Sequence, residues 1–409
     1  MKASAVLATI AGFMLCQAGA APAGARPQAQ LTTLGNGLQL LVIEDRRAPI
    51  VTHMVWYRVG RADEPPGRSG LAHFVEHLMF KATAIHKTGE FQQAVSRLGG
   101  SDNALTGQDT TVYYQRIAKQ HLLSAMRFEA DRMQNLRPTE QDMVLERDIV
   151  LAERRHRIDQ SPLDILNEEM SAALFRNHPY GTPVLGWPRE IAALTLADAM
   201  DFYRRHYVPA NALVVVVGDV DPQQVRFLAE TTYGTIPPRA AEVRSRPAEP
   251  EQRTARRVVL TETRVSSPSI VRTYLTASPA RSTGNEAETI EVLIHILCQD
   301  ESSRLRRRLV TELRVATAVS GGYQSRLRDH GQIACYVNSA PGTQPAAIET
   351  ELDAALAEVR EHGVSDTEVE LARQIIETQH LFEMDRQLNL ANRYGASLAN
   401  RQSVSDVEG

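Results

Sequence analysis

The segment His73-Phe74-Val75-Glu76-His77 decides how this 409-residue sequence is interpreted. On a helix, which turns by about 100° per residue, both histidines and Glu76 fall on one face and the apolar residues fall on the other. Two histidines four positions apart can bind one zinc ion, and a neighbouring glutamate can take a proton from water. The order is that of the inverted zinc-hydrolase motif H-x-x-E-H. A surface helix with solvated histidines is the alternative, and a third metal ligand would distinguish the two.

The downstream sequence offers a third ligand on another predicted helix. Glu146 and Glu153 lie seven residues apart, which is about two helical turns, so their carboxylates share a face. One carboxylate can bind the metal while the other orients a histidine ligand. Two glutamates on a helix are more often exposed charges, so this pair gains weight only together with the histidine motif.

The segments around the motif predict a duplicated α+β unit. Strands are predicted over 38–43 and 50–59, ahead of the helix that carries the motif. A helix over 139–157 begins with an approximate capping box, and an offset of 226 residues places a second such start at Ser365. Two unrelated amphipathic helices can align in this way, but the shared order of strands and helices favours duplication.

We divide the sequence into four parts: a signal peptide over 1–20, a first domain over 31–236, a linker over 237–254 and a second domain over 255–409. The linker is rich in Pro, Arg and Glu and has no apolar periodicity. At the offset of 226 residues, Gly409 corresponds to Pro183, ahead of a helix and strand predicted within 195–217 of the first half. We therefore expect the second domain to be incomplete, with a sheet that lacks a strand.

The first 20 residues have the three parts of a secretory signal peptide. Lys2 is followed by an apolar run to Cys16 and by the small residues Ala18-Gly19-Ala20. We expect a mature chain that is periplasmic or secreted. In an oxidising compartment Cys298 and Cys335 can pair, although the sequence leaves this open.

Composition excludes several classes of function. The sequence is 43% hydrophobic and 23% charged, which is typical of a globular protein. Its net charge of −4 gives no basic footprint for nucleic acid, so no nucleic-acid partner is predicted. No internal run approaches the roughly 18 apolar residues that a membrane span needs.

The sequence resembles the pitrilysin or insulinase family of zinc peptidases. The resemblance rests on the inverted motif, the glutamate pair and three further segments, 99–106, 178–181 and 207–219. It implies that His73, His77 and Glu153 bind one Zn²⁺ ion per chain. It also implies that Glu76 is the general base and that Glu146 orients a ligand.

The resemblance further implies a fold and an activity. The expected fold is α+β, with two homologous domains that each hold a mostly antiparallel sheet packed with helices, and metal only in the first. The expected activity is exported zinc endopeptidase, which hydrolyses extended peptides or unfolded segments by Glu-assisted attack of zinc-bound water. Asn103 and Ala104 match positions that border the cleft, on an edge strand that takes the peptide as an additional strand.

A partner chain is also implied. Active family members enclose the substrate between two such halves, and the facing half contributes an Arg and a Tyr. Val310 and Thr317 stand at these positions here, so the resemblance implies a heterodimer with a related, metal-free chain. Use of Arg308 within a homodimer is the alternative. A non-catalytic binding or assembly subunit, and a zinc hydrolase with non-peptide substrates, also remain open.

Overall fold

The structure is a computed structural model that describes residues 28–408. The predicted signal peptide over 1–20 lies outside the described residues. Among the described residues, no helix combines the length and the apolar composition needed to cross a bilayer.

The first domain is built on a six-stranded sheet with the order β1-β2-β6-β3-β5-β4. All neighbours are antiparallel except β2 and β6, which are parallel. The predicted strands over 38–43 and 50–59 correspond to β2 and β3. The six strands are β1 (Ala29–Thr33), β2 (Gln39–Glu44), β3 (Ile50–Tyr57), β4 (Ser101–Thr106), β5 (Thr111–Ala118) and β6 (Ala212–Gly218).

Strand β6 is buried on both faces, as its run of β-branched residues favours. Val214 and Val216 face one core, whereas Leu213, Val215 and Val217 face a second core on the other side of the sheet. The sheet must therefore be covered twice.

The helices of the first domain cover one face. Apart from α5, each of them contributes buried apolar side chains to the first core. They are α1 (Leu71–Leu78), α2 (Glu90–Arg97), α3 (Leu122–Asn135), α4 (Glu140–Arg154), α5 (Pro162–Leu174), α6 (Pro188–Ala193), α7 (Leu196–His206) and α8 (Pro222–Thr231).

The second domain has a smaller sheet that repeats part of the strand order of the first. Within the described residues its sheet holds three strands in the order β7-β9-β8, which repeats β3-β5-β4 of the first sheet. No strand of the described chain takes the place that β6 holds beside β3. Its elements are β7 (Ser269–Ala277), α9 (Glu286–Ile294), α10 (Arg304–Arg306), β8 (Ala316–Gln324), β9 (His330–Ser339), α11 (Pro345–His362), α12 (Asp366–Met384), α13 (Gln387–Ala399) and α14 (Val404–Glu408). Cys298 and Cys335, left open by the sequence, form a disulfide between β9 and the segment after α9.

Helix α13 joins the two domains, because it covers the second face of the first sheet. Leu390, Tyr394 and Leu398 pack into the core that contains Leu213 and its neighbours. Gly395 permits this approach, since a Cβ atom there would lie 2.2 Å from Nε1 of Trp56.

The segment over 237–254 has no helix or strand, but it is fixed to both domains. Arg244 and Arg246 pair with Asp63 of the first domain at 2.6 and 2.8 Å. Arg246 also pairs with Asp329 of the second domain at 2.8 Å. These groups are almost fully buried, so the predicted linker is an ordered strap.

Candidate metal centre

Helix α1 carries the histidine motif and is held rigidly at its start. It begins after Gly70, whose φ of 85° lies in the left-handed region. A Cβ atom at Gly70 would lie 2.7 Å from the carbonyl oxygen of Leu185, so only glycine fits. The apolar face of α1 is buried in the first core through Leu71, Phe74, Val75 and Leu78.

Glu64 also fixes the start of α1, a role that no motif in the sequence indicates. Its carboxylate accepts hydrogen bonds from the backbone N–H groups of Gly70 at 3.0 Å and Ala72 at 2.8 Å. These donors have no partner within the helix, so Glu64 satisfies them in place of a capping side chain. Burial raises the pKa of Glu64 to about 8, against the effect of these hydrogen bonds.

The three predicted metal ligands come together between α1 and α4. Oε2 of Glu153 lies 3.6 Å from Nε2 of His73 and 3.4 Å from Nε2 of His77. One ligand atom from each residue lies within 4.8 Å of the other two. Tetrahedral zinc with bonds of about 2.0–2.1 Å needs ligand atoms roughly 3.3 Å apart. The donor set and its spacing therefore fit a zinc ion.

Glu146 contacts His77 on the side away from Glu153 and is not one of the three predicted ligands. Its Oε2 is 2.8 Å from Nδ1 of His77, so it fixes the ring with Nε2 toward Glu153. Lys81 pairs with the other oxygen of Glu146. Burial would raise the pKa of Glu146, but hydrogen bonds from His77 and Lys81 outweigh burial and lower it. The carboxylate is therefore ionised at neutral pH.

The two histidines differ in charge without metal. Burial would lower the pKa of His77, but hydrogen bonds to Glu146 and Glu153 outweigh it and raise that pKa to about 9. Burial and the neighbouring His77 lower the pKa of His73 to about 4. At neutral pH His77 therefore carries a proton that a metal ion must displace, whereas His73 is already neutral.

Glu76 lies on the same face of α1 and points toward the sheet edge. Its side chain is buried, and its Oε2 accepts a hydrogen bond from Oγ1 of Thr106 at 2.5 Å. Burial raises the pKa of Glu76, while this hydrogen bond opposes the increase. A carboxylate whose pKa is raised is suited to accept and return a proton near neutral pH.

Thr106 is the last residue of β4, which is the edge strand beside α1. Asn103 and Ala104 lie on the same strand and pair with β5 on one side only. Among residues 28–408, no strand occupies the other side of β4. Asn103 is exposed, and its Oδ1 accepts the N–H of Ala104 at 2.8 Å. The structure thus places both predicted substrate-binding residues on a free edge that leads to Glu76.

Arg157, in the helical segment Arg155–Asp159 that follows α4, contacts the ligand set. Its Nη1 lies 2.9 Å from Oε1 of Glu153, the oxygen that does not face the histidines. The Arg157 side chain is mostly exposed, so this pair orients Glu153 from the solvent side.

The second domain does not repeat the site. Across residues 28–408, His73, His77 and Glu153 form the one group with metal-ligand spacing. His295 of the second domain is buried, and its Nδ1 lies 2.7 Å from Oδ2 of Asp300.

The residues predicted to face a partner's site have local roles. Val310 packs against the second core, and Oγ1 of Thr317 donates to the carbonyl oxygen of Asn338 at 3.2 Å. Arg308 is exposed and pairs with Glu351 at 3.0 Å.

Two histidines and a carboxylate with a spacing that fits zinc, and a buried acid beside them, resemble the site of a metallohydrolase on a two-domain α+β fold. Comparison with known families agrees. Residues 40–187 match the family described as Insulinase (Peptidase family M16), and residues 193–376 match the Peptidase M16 inactive domain. The chain belongs to peptidase family M16, as its motifs indicated.

Several relatives match most of the chain. The zinc protease PqqE of Helicobacter pylori is 28% identical over 386 residues, covering 94% of this chain and 82% of the relative. An uncharacterized zinc protease of Mycobacterium leprae is 28% identical over 399 residues, covering 92% of this chain and 84% of the relative.

Solved structures share the fold. The crystal structure of a protease from Helicobacter pylori has a TM-score of 0.86 at 27% identity, covering 93% of this chain and 92% of that one. The periplasmic protease PqqL of Escherichia coli has a TM-score of 0.75 at 21% identity and shows the fold alone. The present chain covers 42% of PqqL.

Proposed function

We propose that this protein is an exported zinc endopeptidase that hydrolyses extended peptides or unfolded segments. The observation that carries the proposal is the meeting of His73, His77 and Glu153 within 4.8 Å, with Glu76 on the same helix face. The relatives called zinc proteases support it.

The residues divide the chemistry between them. His73, His77 and Glu153 would hold one zinc ion, with Glu146 orienting His77. Zinc, when bound, polarises a carbonyl group and makes water more acidic. Glu76 takes the proton of the attacking water at Oε1, because Thr106 occupies Oε2, and later returns a proton to the leaving amine.

The substrate would lie along β4. A peptide added as a strand at this edge forms backbone hydrogen bonds irrespective of its sequence, which suits extended or unfolded substrates. Asn103 and Ala104 would contact it, and Thr106 would connect the strand to the base. The register of the bound peptide along β4 would thus place its scissile bond beside Glu76.

We further propose that the working enzyme is a heterodimer with a related, metal-free chain. Support comes from Val310 and Thr317, which stand where an Arg and a Tyr would stabilise the developing oxyanion in a partner's site. Neither side chain can supply that charge or phenol.

A non-catalytic subunit is the second candidate. The family description "inactive" would favour it, but that match begins at residue 193. The ligand set and Glu76 all lie within residues 40–187, the part that matches the insulinase family. A hydrolase for non-peptide substrates has less support, because the relatives are called proteases.

The experiment compares the wild-type chain with Glu76→Gln and with Glu169→Gln, an exposed control on α5. Zinc content is measured by elemental analysis, and cleavage is measured with unfolded, fluorescence-quenched peptides, with and without a related metal-free chain. We expect Glu76→Gln to keep zinc and lose activity by about 100-fold or more, whereas the control keeps both. Full activity of Glu76→Gln would disprove its role as base. A zinc-loaded wild type that cleaves nothing in either condition would favour the non-catalytic subunit.

A further inference from the structure

A cavity of about 620 Å³ lies between the two domains, apart from the metal centre. The first domain lines it with β1, the start of β2 and the end of β3. The second domain lines it with the loop after β8 and with the end of α13. No metal ligand, and no residue of β4, contributes to its wall. Its volume lies within the roughly 300–1,000 Å³ of small-molecule sites.

Three arginines line this cavity: Arg58, Arg328 and Arg401. Within residues 28–408, none of the three guanidinium groups has a carboxylate at ion-pair distance. Arg58 donates to Oε1 of Gln39, which is neutral. Arg58 and Arg328 are partly buried and belong to different domains, so two guanidinium groups without an acidic partner line one cavity.

The acids nearest these arginines are already engaged. Asp109 accepts the backbone N–H of Arg328 at 3.0 Å and pairs with Arg246 of the strap. Asp329 pairs with Arg246 at 2.8 Å and with Arg281 at 3.4 Å. The neighbourhood therefore keeps an excess of positive charge that the described chain does not neutralise.

This excess is costly, since Arg58 and Arg328 are partly buried. Burial, together with Arg244 and Arg401, lowers the pKa of Arg328 to about 10. Burial, with a contribution from Arg244, also lowers the pKa of Arg58. The two lowered pKa values mean that the positive charges of Arg58 and Arg328 are not balanced by nearby negative charge. An anion in the cavity would balance them.

The end of α13 places Arg401 at the cavity. Its φ of 76° is in the left-handed region, as is common for the residue that follows the last turn of a helix. This conformation closes α13, because the backbone N–H of Gln402 donates to the carbonyl oxygen of Ser397 at 3.0 Å. The helix end therefore brings a guanidinium group to the cavity.

We infer that this cavity binds a small organic oxyanion, a carboxylate or a phosphate, between the three guanidinium groups. Arginine suits this role because its planar donors match the paired oxygens of either anion. Leu31 and Leu398 supply an apolar wall for the organic part. Because both domains line the cavity, binding stabilises their relative arrangement.

The test measures thermal unfolding of the zinc-loaded chain in increasing glutarate or inorganic phosphate, against sodium chloride at equal ionic strength. Zinc content is checked before and after. The variants are Arg401→Gln, which is exposed and leaves the cores intact, and Arg58→Gln. Arg127→Gln, an exposed arginine on α3, is the control.

We expect a saturable rise of the melting temperature with at least one anion. The half-saturating concentration should increase by about tenfold or more in Arg401→Gln and remain unchanged in Arg127→Gln. A response to glutarate alone assigns a carboxylate, and a response to phosphate alone assigns a phosphate. No saturable rise beyond that of chloride, or an unchanged half-saturating concentration in both cavity variants, would overturn the inference.

Discussion

The two domains share a scaffold, but within residues 28–408 only the first carries a group of side chains with metal-ligand spacing. The strand order β3-β5-β4 recurs as β7-β9-β8, and capping boxes start α4 and α12 in the same way. At the offset of 226 residues, however, Glu146 corresponds to Ala372 and Glu153 to Gln379. A few polar side chains therefore distinguish the candidate metal centre of the first domain from the corresponding helices of the second. The apolar pattern and the caps are shared and do not depend on those side chains.

The largest expected effect is on zinc affinity, when Glu153 of the first domain is replaced by glutamine, the residue at the corresponding position 379 of the second domain. We predict that Glu153→Gln lowers zinc affinity by more than about 100-fold, since it replaces a charged ligand and loss of an outer-shell partner alone costs about 10–100-fold. Competition with a chromophoric chelator measures the affinity.

The reverse exchange is the matched control. Gln379→Glu should leave the content at one zinc per chain. His295 of the second domain is hydrogen-bonded to Asp300, and residues 28–408 hold no second group with metal-ligand spacing. A second equivalent of zinc in Gln379→Glu would show that the second domain keeps a latent site.

The next effect is the pH dependence of zinc binding. His77 has a pKa of about 9 without metal, so between about pH 7 and 9 a bound zinc ion displaces one proton. The lowered pKa values of Glu153 and His73 leave both deprotonated in this range. Apparent affinity should therefore rise roughly tenfold per pH unit up to about 9 and then level off. Calorimetry in buffers of different ionisation enthalpy counts the proton, and a pH-independent affinity would contradict the charge assigned to His77.

A smaller effect tests the residue behind His77. We predict that Glu146→Ala, which copies Ala372 of the second domain, lowers zinc affinity by about 10–100-fold without abolishing binding. It also removes a hydrogen bond that raises the pKa of His77. The apparent zinc affinity should therefore rise less between about pH 7 and 9 than it does in the wild type. Glu140→Ala, on the exposed start of the same helix, is the control. Equal affinities of the two variants would remove Glu146 from the site.

Local features of the fold could be predicted, whereas long-range contacts could not. The capping residues of α4 and α12 act on their own helices, and the two-faced pattern of α1 is visible in eight residues. In contrast, the apolar stripe of α13 predicts an amphipathic helix but not that it covers the sheet of the other domain. The strap looked like a solvated linker because Arg244 and its partner Asp63 are 181 residues apart.

The candidate site divides in the same way. The motif and the glutamate pair point to the ligands because their spacing on helices is a property of sequence. Glu64 and Thr106 were missed because their roles depend on where a loop and an edge strand meet α1. An acid shortly before the motif and a threonine ending a strand are too common to be informative alone.

The smallest expected effect compares the same cap in the two domains. Thr139 and Ser365 each accept the N–H of the third helical residue, at 3.1 and 3.3 Å. We predict that Thr139→Ala and Ser365→Ala each lower the free energy of unfolding by about 1 kcal/mol. Urea denaturation of the metal-free chain measures this loss.

Zinc affinity then tests whether the two caps differ in their effect on the site, because a predicted metal ligand lies on α4 and none lies on α12. Thr139 lies about two helical turns before Glu146 and about four turns before Glu153. The influence of a cap extends over about one turn, so it reaches neither residue. Thr139→Ala should therefore bind zinc like Ser365→Ala and the wild type, within about twofold. A selective loss of zinc affinity in Thr139→Ala would show instead that the metal centre depends on the whole of α4, and that the scaffold and the site are coupled in the first domain.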